Sequence, residues 1–406
     1  MPSALPEGEP APPDGSLPAF ALATLGARPF GFYVHIPFCT VRCGYCDFNT
    51  YTASDLGGGF SRSSYADAAI SEIRLARTVL ADADVSVQTV FFGGGTPTLL
   101  PAHDLSRILA TIGSEFGLAA GAEVTSESNP DSVSAADLSA LRDGGINRIS
   151  FGMQSAVPHV LSVLDRTHDP ALVPQVVDWA RRAGFEQVSL DLIYGTPGES
   201  PADWLTTLDR AVASEPDHLS AYSLIIEEGT ALARQVRRGE VPMTDDDDLA
   251  DKYLAADDAL GRAGLGWYEV SNWARDHAGR CRHNVGYWTG GDWWGVGPGA
   301  HSHVGGVRWW NVKHPTAYAG RLDGSRSPAQ AREVLDDETR RVERVLLEIR
   351  LRDGLVCDVL DPRGRARLPG LGTRGLIDAA ALERGRIVLT RNGRLLADAV
   401  VKDLLP

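Results

Sequence analysis

Three cysteines, Cys39, Cys43 and Cys46, fall within eight positions of the stretch "HIPFCTVRCGYCDFNTY" at residues 35–51. The next three positions, Asp47, Phe48 and Asn49, supply no further thiol or imidazole. Thiolates in this number bind zinc or an iron–sulfur cluster. A closed zinc site takes four ligands, commonly as two Cys pairs, so zinc here would need His35 or a distant residue to complete it. A four-iron cluster held by three cysteines keeps one iron open to a small chelating molecule. In that setting the incomplete ligand set is useful.

The two other cysteines, Cys281 and Cys357, bring the total to five. An odd number with three clustered fits no disulfide framework and implies a reducing, cytoplasmic setting. Hydrophobic content of 43% and charged content of 23% are ordinary globular values. The net charge of -14 opposes attraction to phosphate backbones, and no basic stripe offsets it, so no nucleic-acid partner is expected. No apolar run approaches bilayer-spanning length. An acidic surface also discourages adhesion to anionic lipids, so membrane association is expected only peripherally, through a protein partner.

Elements able to position the cysteines follow from residue 31 onward. At 406 residues, one large α/β domain plus a smaller appendage is the natural organisation. Six short apolar runs read as strands: Gly31–Pro37, Thr89–Phe92, Glu123–Ser126, Arg148–Gly152, Val188–Ile193 and Leu219–Leu224. Helical spacing fills residues 63–80, 102–117, 134–143, 171–183 and 201–213 between them. Ser134 with Asp137 and Ser200 with Asp203 are N-terminal caps, and Gly184 is a C-terminal stop. Repeated β-α units imply a parallel sheet, either partly closed as a barrel or lying flat. Each strand ends in a polar or glycine-rich burst: the cysteine loop, "GGGTPT", "ESNP", "GMQS", "DLIYGTPGES" and "YSLIIEEGT". Loops at the carboxyl ends of parallel strands converge on one mouth, where ligands bind.

The spacing Cys39-x3-Cys43-x2-Cys46, with Tyr45 before the last cysteine and a strand before the loop, resembles the radical S-adenosylmethionine (SAM) superfamily. The resemblance implies a partial (β/α)6 TIM-like barrel and a [4Fe-4S] cluster on the three cysteines. Its open iron would chelate SAM, and an electron donor would be needed to cleave the sulfonium. The porphyrin-related branch supplies the nearest pattern, through "YVHIPFC", "FFGGGTPT", "NRISFGMQS", "DLIYGTPGES" and "YEVSNWA". On it, Tyr33, Gly94, Gly95, Thr96, Glu127, Gln154, Arg166 and Asp191 fall at SAM-contacting positions. Taken singly, the glycines also suit a tight βα turn, and Glu127 or Asp191 a helix cap.

Two families of that branch are similar over residues 33–273: the oxygen-independent coproporphyrinogen III oxidases and the HemW haem chaperones. The oxidase motif continues to a fourth cysteine where this chain has Phe48, whereas the chaperones carry an aromatic residue. In "CRHNVGYW", His283, Asn284, Tyr287 and Trp288 match the HNxxYW motif that the chaperone resemblance associates with haem. Imidazole suits haem iron and flat aromatic rings suit the macrocycle, although an aromatic-rich stretch with a hydrogen-bonded His also describes an ordinary core. Five of the nine tryptophans lie between Trp288 and Trp310. The implied function is haem delivery to respiratory haem proteins. The rivals are oxidative decarboxylation of coproporphyrinogen III, a radical SAM methyltransferase, and a zinc-structured adaptor. Cys281 reads as a buried thiol, and "WWGVGPGAHSHVGG" as a glycine-rich loop with ligand-facing polar groups.

Four segments result. Residues 1–30, with seven prolines and no basic residue before Arg28, read as a mobile Pro/Ala-rich tail without a targeting signal, although Leu17–Leu25 could fold back. Residues 31–240 form the barrel and 241–330 the HNxxYW-containing extension. Residues 331–406 form a C-terminal α+β module. That module opens with an amphipathic helix at Glu338–Leu351 and ends in a strand, an "RNG" turn and a helix, an order that suggests a winged helix.

Overall fold

The computed structural model describes residues 7–53, 55, 61–81, 83 and 85–405. Its frame is six parallel strands laid side by side in chain order: β1 (Phe30–Ile36), β2 (Val87–Gly94), β3 (Leu118–Ser128), β4 (Arg148–Gln154), β5 (Gln187–Tyr194) and β6 (His218–Ser223). The crossovers are α1 (Arg62–Leu80), α2 (Ala102–Phe116), α3 (Ala135–Asp143), α4 (Leu172–Ala183) and α5 (Pro201–Ala213). All six expected strands and five expected helices are present, the strands mostly longer at their ends. Both caps form, each Ser accepting from the Asp backbone N–H three residues on, and Gly184 takes the left-handed conformation.

The sheet does not close. An antiparallel hairpin, Gly266–Glu269 with Asn272–Ala274, extends it beyond β6. Beyond β1 it continues through Asp292–Val296, His301–Val304, Val307–Asn311, Ala329–Val334 and the edge strand Glu9–Pro10, giving thirteen strands in all. Alternation along the strands assigns the two faces. Phe32, Val34, Val90, Phe92, Ile149, Phe151, Leu190 and Leu192 are buried against the helices. The opposite face carries Tyr33, Phe91, Thr125, Glu127, Ser150, Asp191, Ser220 and Tyr222 around a cavity of about 600 Å³.

The expected mobile tail is corrected by the structure. Glu9–Pro10 forms the edge strand against Ala331 and Arg332, Glu9 pairs with Arg332 at 2.7 Å, and Ala21 is fully buried. Proline lacks a donor, so a Pro-rich segment sits well at a sheet edge, where one side needs no N–H. The fold-back of Leu17–Leu25 is seen as the helical turn Ala19–Leu22. Residues 1–6 of that segment lie outside the described residues.

Since Ala329–Val334 belongs to the main sheet, the separate C-terminal core begins after it, with α7 at Asp337–Glu348; the helix Arg282–Trp288 is α6. Val345, Ile349, Leu360, Leu371, Ile387, Val400 and Leu404 form that core. A two-stranded ladder, Leu355–Val356 with Arg386–Ile387, makes the module α+β. The expected "RNG" turn is a helix start instead. Thr390 caps Arg391–Leu395 by accepting from Gly393 N, and Gly393 lies so near the Leu376 carbonyl that no side chain would fit.

Glu72 of α1 joins the barrel to the added strands. Buried without exposure, its carboxylate accepts from Gly297 N at 2.8 Å, Asn311 Nδ2 at 2.8 Å and Tyr318 Oη at 2.5 Å, while burial lifts its pKa to about 7. Glu72→Leu leaves three buried donors unmet, at about 1–3 kcal/mol each. Urea unfolding is expected to show a loss of a few kcal/mol, and Glu72→Gln, which keeps an acceptor, a smaller one.

Candidate functional site

The cysteine loop follows β1 and is tied at both ends by backbone. Cys39 N donates to Tyr51 O at 3.0 Å, Tyr51 N to Pro37 O at 2.7 Å, and Cys46 N to Cys43 O at 3.1 Å. Asn49 anchors the far side, its Nδ2 donating to Pro298 O at 3.0 Å and Lys313 O at 2.8 Å while its carbonyl meets His35 Nε2 at 3.0 Å. The "GVGPGAHS" loop, expected to face a ligand, thus braces the cysteine loop through Pro298 and Glu72 through Gly297.

Cys39, Cys43 and Cys46 are free, partly buried thiols that share one wall of a cavity of about 280 Å³. Burial raises the Cys39 thiol, and it pushes the Cys46 thiol to about 11. Gly94, Gly95 and Thr96 line the same cavity, Thr96 within hydrogen-bond reach of the Cys39 thiol. A side chain on Gly95 would overlap the Phe38 carbonyl, and Gly94 has φ +109, so β2 passes the loop as closely as bare backbone allows. Arg166 brings a guanidinium to 3.7 Å from Cys43 Sγ and is held by Asn129 Oδ1 at 2.7 Å and Gly152 O at 2.8 Å. Three soft thiols, a cationic partner and a cradle without side chains suit an iron–sulfur cluster with one open iron.

The polar residues expected to meet a nucleotide gather beside it. Glu127 accepts from Gly94 N at 3.1 Å, and Asp191 accepts from Ser150 Oγ at 2.9 Å. Burial raises both, Glu127 to about 8 with Asp191 as the second cause. A cationic ammonium or sulfonium set between them would restore their ionised forms. Gln154 lines both cavities and adopts φ +59, a conformation that costs a non-glycine residue about 1–2 kcal/mol. Tyr33 faces the larger cavity and bonds His35 Nδ1 at 3.0 Å. Asn129, Phe91, Arg148 and Tyr222 were not expected here. Two-residue spacing from Glu127 and Ser220 could have found Asn129 and Tyr222.

Helix α6 closes the barrel floor. Glu123 of β3 receives Arg282 N and His283 N, each at 3.0 Å, and so caps the helix. Asn284 and Tyr287 face the larger cavity, while Trp288 lines a different one. His283 is 4% exposed, with Nδ1 2.8 Å from Thr89 Oγ1 and Nε2 2.8 Å from Tyr287 Oη, and burial holds its pKa near 3. Cys281 is a buried thiol, as expected.

An open (β/α)6 sheet with three free thiols at its mouth defines a radical SAM protein, and residues 33–211 match the Radical SAM superfamily. The heme chaperone HemW of Mycobacterium tuberculosis is 49% identical over 95% of this chain and 97% of its own. HemW of Bacillus subtilis is 31% identical over 91% and 97%. Among solved structures, coproporphyrinogen III oxidase (HemN) from Escherichia coli superposes with TM-score 0.80 at 25% identity, covering 95% of this chain and 92% of that one. The chain belongs to the HemW family within the radical SAM superfamily. That superfamily implies a [4Fe-4S] cluster and SAM, which the thiols and the carboxylate pair fit.

Since the folded pKa of Glu127 is raised, its contribution is fully present below about 4.5 and is lost as pH rises through about 8. The ligand-free protein is expected to lose stability between about pH 4.5 and 8, and Glu127→Gln to flatten that slope in urea titrations. Gly95→Ala is expected to at least halve iron bound per chain after reconstitution, with the far-ultraviolet circular dichroism unchanged.

Proposed function

We propose that this protein is a haem chaperone that carries a [4Fe-4S] cluster on Cys39, Cys43 and Cys46 and binds SAM. It would take up haem on α6 and deliver it to respiratory haem proteins. Tyr33, Gly94, Gly95, Thr96, Glu127, Gln154, Arg166 and Asp191 would hold SAM at the mouth, and an electron donor would approach the same side. His283, Asn284, Tyr287 and Trp288 would form the haem-side helix. The observation that carries this reading is the likeness to HemW along nearly the whole chain. Phe48 agrees with it, being 60% exposed where a fourth cysteine would mark the oxidase. No helix among the described residues is long and apolar enough to cross a membrane, so contact with a membrane-bound acceptor would run through that partner.

A second reading, oxidative decarboxylation of coproporphyrinogen III, is favoured by the backbone likeness to HemN. One anaerobic preparation separates the two. Haem added to the reconstituted protein is expected to give a shifted Soret band at near-equal stoichiometry. SAM and a reductant with coproporphyrinogen III are expected to give no vinyl product. An unshifted Soret band would overturn the chaperone reading, and vinyl product would establish the enzyme.

A further inference from the structure

Helix α6 has two faces. One, with Asn284 and Tyr287, meets the barrel interior; the other, through Trp288, meets a second cavity of about 630 Å³ between Pro29, Gly291, His303 and α7. Four arginines line this cleft: Arg28, Arg340, Arg341 and Arg344. Arg341 is bound to Glu338 and Arg344 to Glu348, while the cleft's Glu343 is occupied by Arg308 at 2.6 Å. Among the described residues Arg28 and Arg340 have no ion pair. Arg28 gives only a bond to Gly290 O at 2.7 Å. Both nevertheless stand close enough to act on the buried carboxylate of Asp292, which lies 3.5 Å from His303 Nδ1. Two arginines without ion pairs among the described residues therefore act on Asp292, and Arg28 acts on His303 as well. Asp337 and Asp358, at the cleft's outer edge, are exposed.

His303 differs from His283 in what it leaves open. It is 7% exposed and its Nδ1 lies 2.9 Å from Gly291 O, so Nδ1–H donates to that carbonyl and the tautomer is fixed. Nε2 then keeps its lone pair and makes no hydrogen bond among the described residues. Burial lowers the His303 pKa, which keeps the ring neutral. An imidazole oriented by a backbone carbonyl, with Nε2 unused, is the arrangement of histidines that ligate metals. His283 spends both nitrogens on Thr89 and Tyr287 and would have to break a bond first.

We propose that the cleft between α6 and α7, rather than the barrel interior, holds the haem, with His303 Nε2 on the iron, Trp288 against the ring and Arg28 and Arg340 on the propionates. The proposal rests on the chaperone reading and names the site that reading leaves open. The ligand class is a planar iron macrocycle with two carboxylates, which the cleft meets with one nitrogen donor, one indole and two arginines outside any ion pair among the described residues.

The test uses the full chain with its cluster reconstituted anaerobically, titrated with haem and, separately, with iron-free protoporphyrin IX. His303→Ala is expected to weaken haem by at least about tenfold and move the Soret maximum, while changing protoporphyrin affinity, read by tryptophan quenching, by less than about twofold. Arg28→Ala with Arg340→Ala is expected to weaken both ligands and to reduce the salt dependence. Cluster iron, counted before each titration, reports that the barrel has folded. If His303→Ala keeps the wild-type Soret band and affinity, or if His283→Ala alone abolishes the band, the cleft assignment is overturned while the chaperone reading stands. If the wild-type chain itself shows no Soret shift, the chaperone reading falls as well.

Discussion

The cysteine loop depends on an amide that is not itself a ligand. Asn49 spans the loop and the added strands, its side-chain amide donating to the carbonyls of Pro298 and Lys313 while its backbone carbonyl accepts from His35. Thiols on an eight-residue loop would otherwise sample many arrangements, and ordering a backbone costs about 1–2 kcal/mol per residue. Here that cost is met by packing around Asn49, away from the thiols. Glu72 supports the same loop from behind by fixing Gly297, so the brace runs from the sulfurs to helix α1. The strands beyond β1 are therefore part of the site's foundation.

A second constraint is the polarity of the barrel interior. Glu127 and Asp191 are half-buried along the same cavity, and both are held toward their protonated forms. In the empty fold this arrangement costs stability; with a cationic ligand between them the same burial strengthens the attraction, because a low local dielectric acts on both cases. The serines and the strand-end amides that bind these carboxylates keep them aimed inward before any ligand arrives. A site prepared this way spends little on reorganisation when it fills.

Much of the frame was legible in the sequence because its signals are local. Caps at Ser134 and Ser200, the stop at Gly184 and apolar runs of strand length each act within a few residues, and each element appears where they place it. The cysteine spacing was legible for the same reason. What the sequence concealed depends on distant partners. The Pro-rich start is extended by composition, yet its place on the sheet edge needs Arg332, and "RNG" becomes a helix because Leu376 approaches Gly393. His283 and His303 look alike as letters. Only their partners separate a ring whose two nitrogens are both bonded from one whose Nε2 is open.

Those partners also explain why α6 can serve two compartments. Glu123 fixes its first turn from the barrel floor, Thr89 fixes His283, and His283 fixes Tyr287, so the helix is registered against β2 and β3 by three side chains. Tyr287 lines the barrel cavity and packs edge-on against Trp293 at 4.6 Å, and the next residue, Trp288, stands in the cleft. A ligand that displaced Tyr287 would loosen His283 and turn a helix of only seven residues, which has too few internal bonds to resist. A change at the mouth thus has a short mechanical route to Trp288. On this geometry occupancy of the barrel cavity and occupancy of the cleft are coupled through packing, without the two occupants touching.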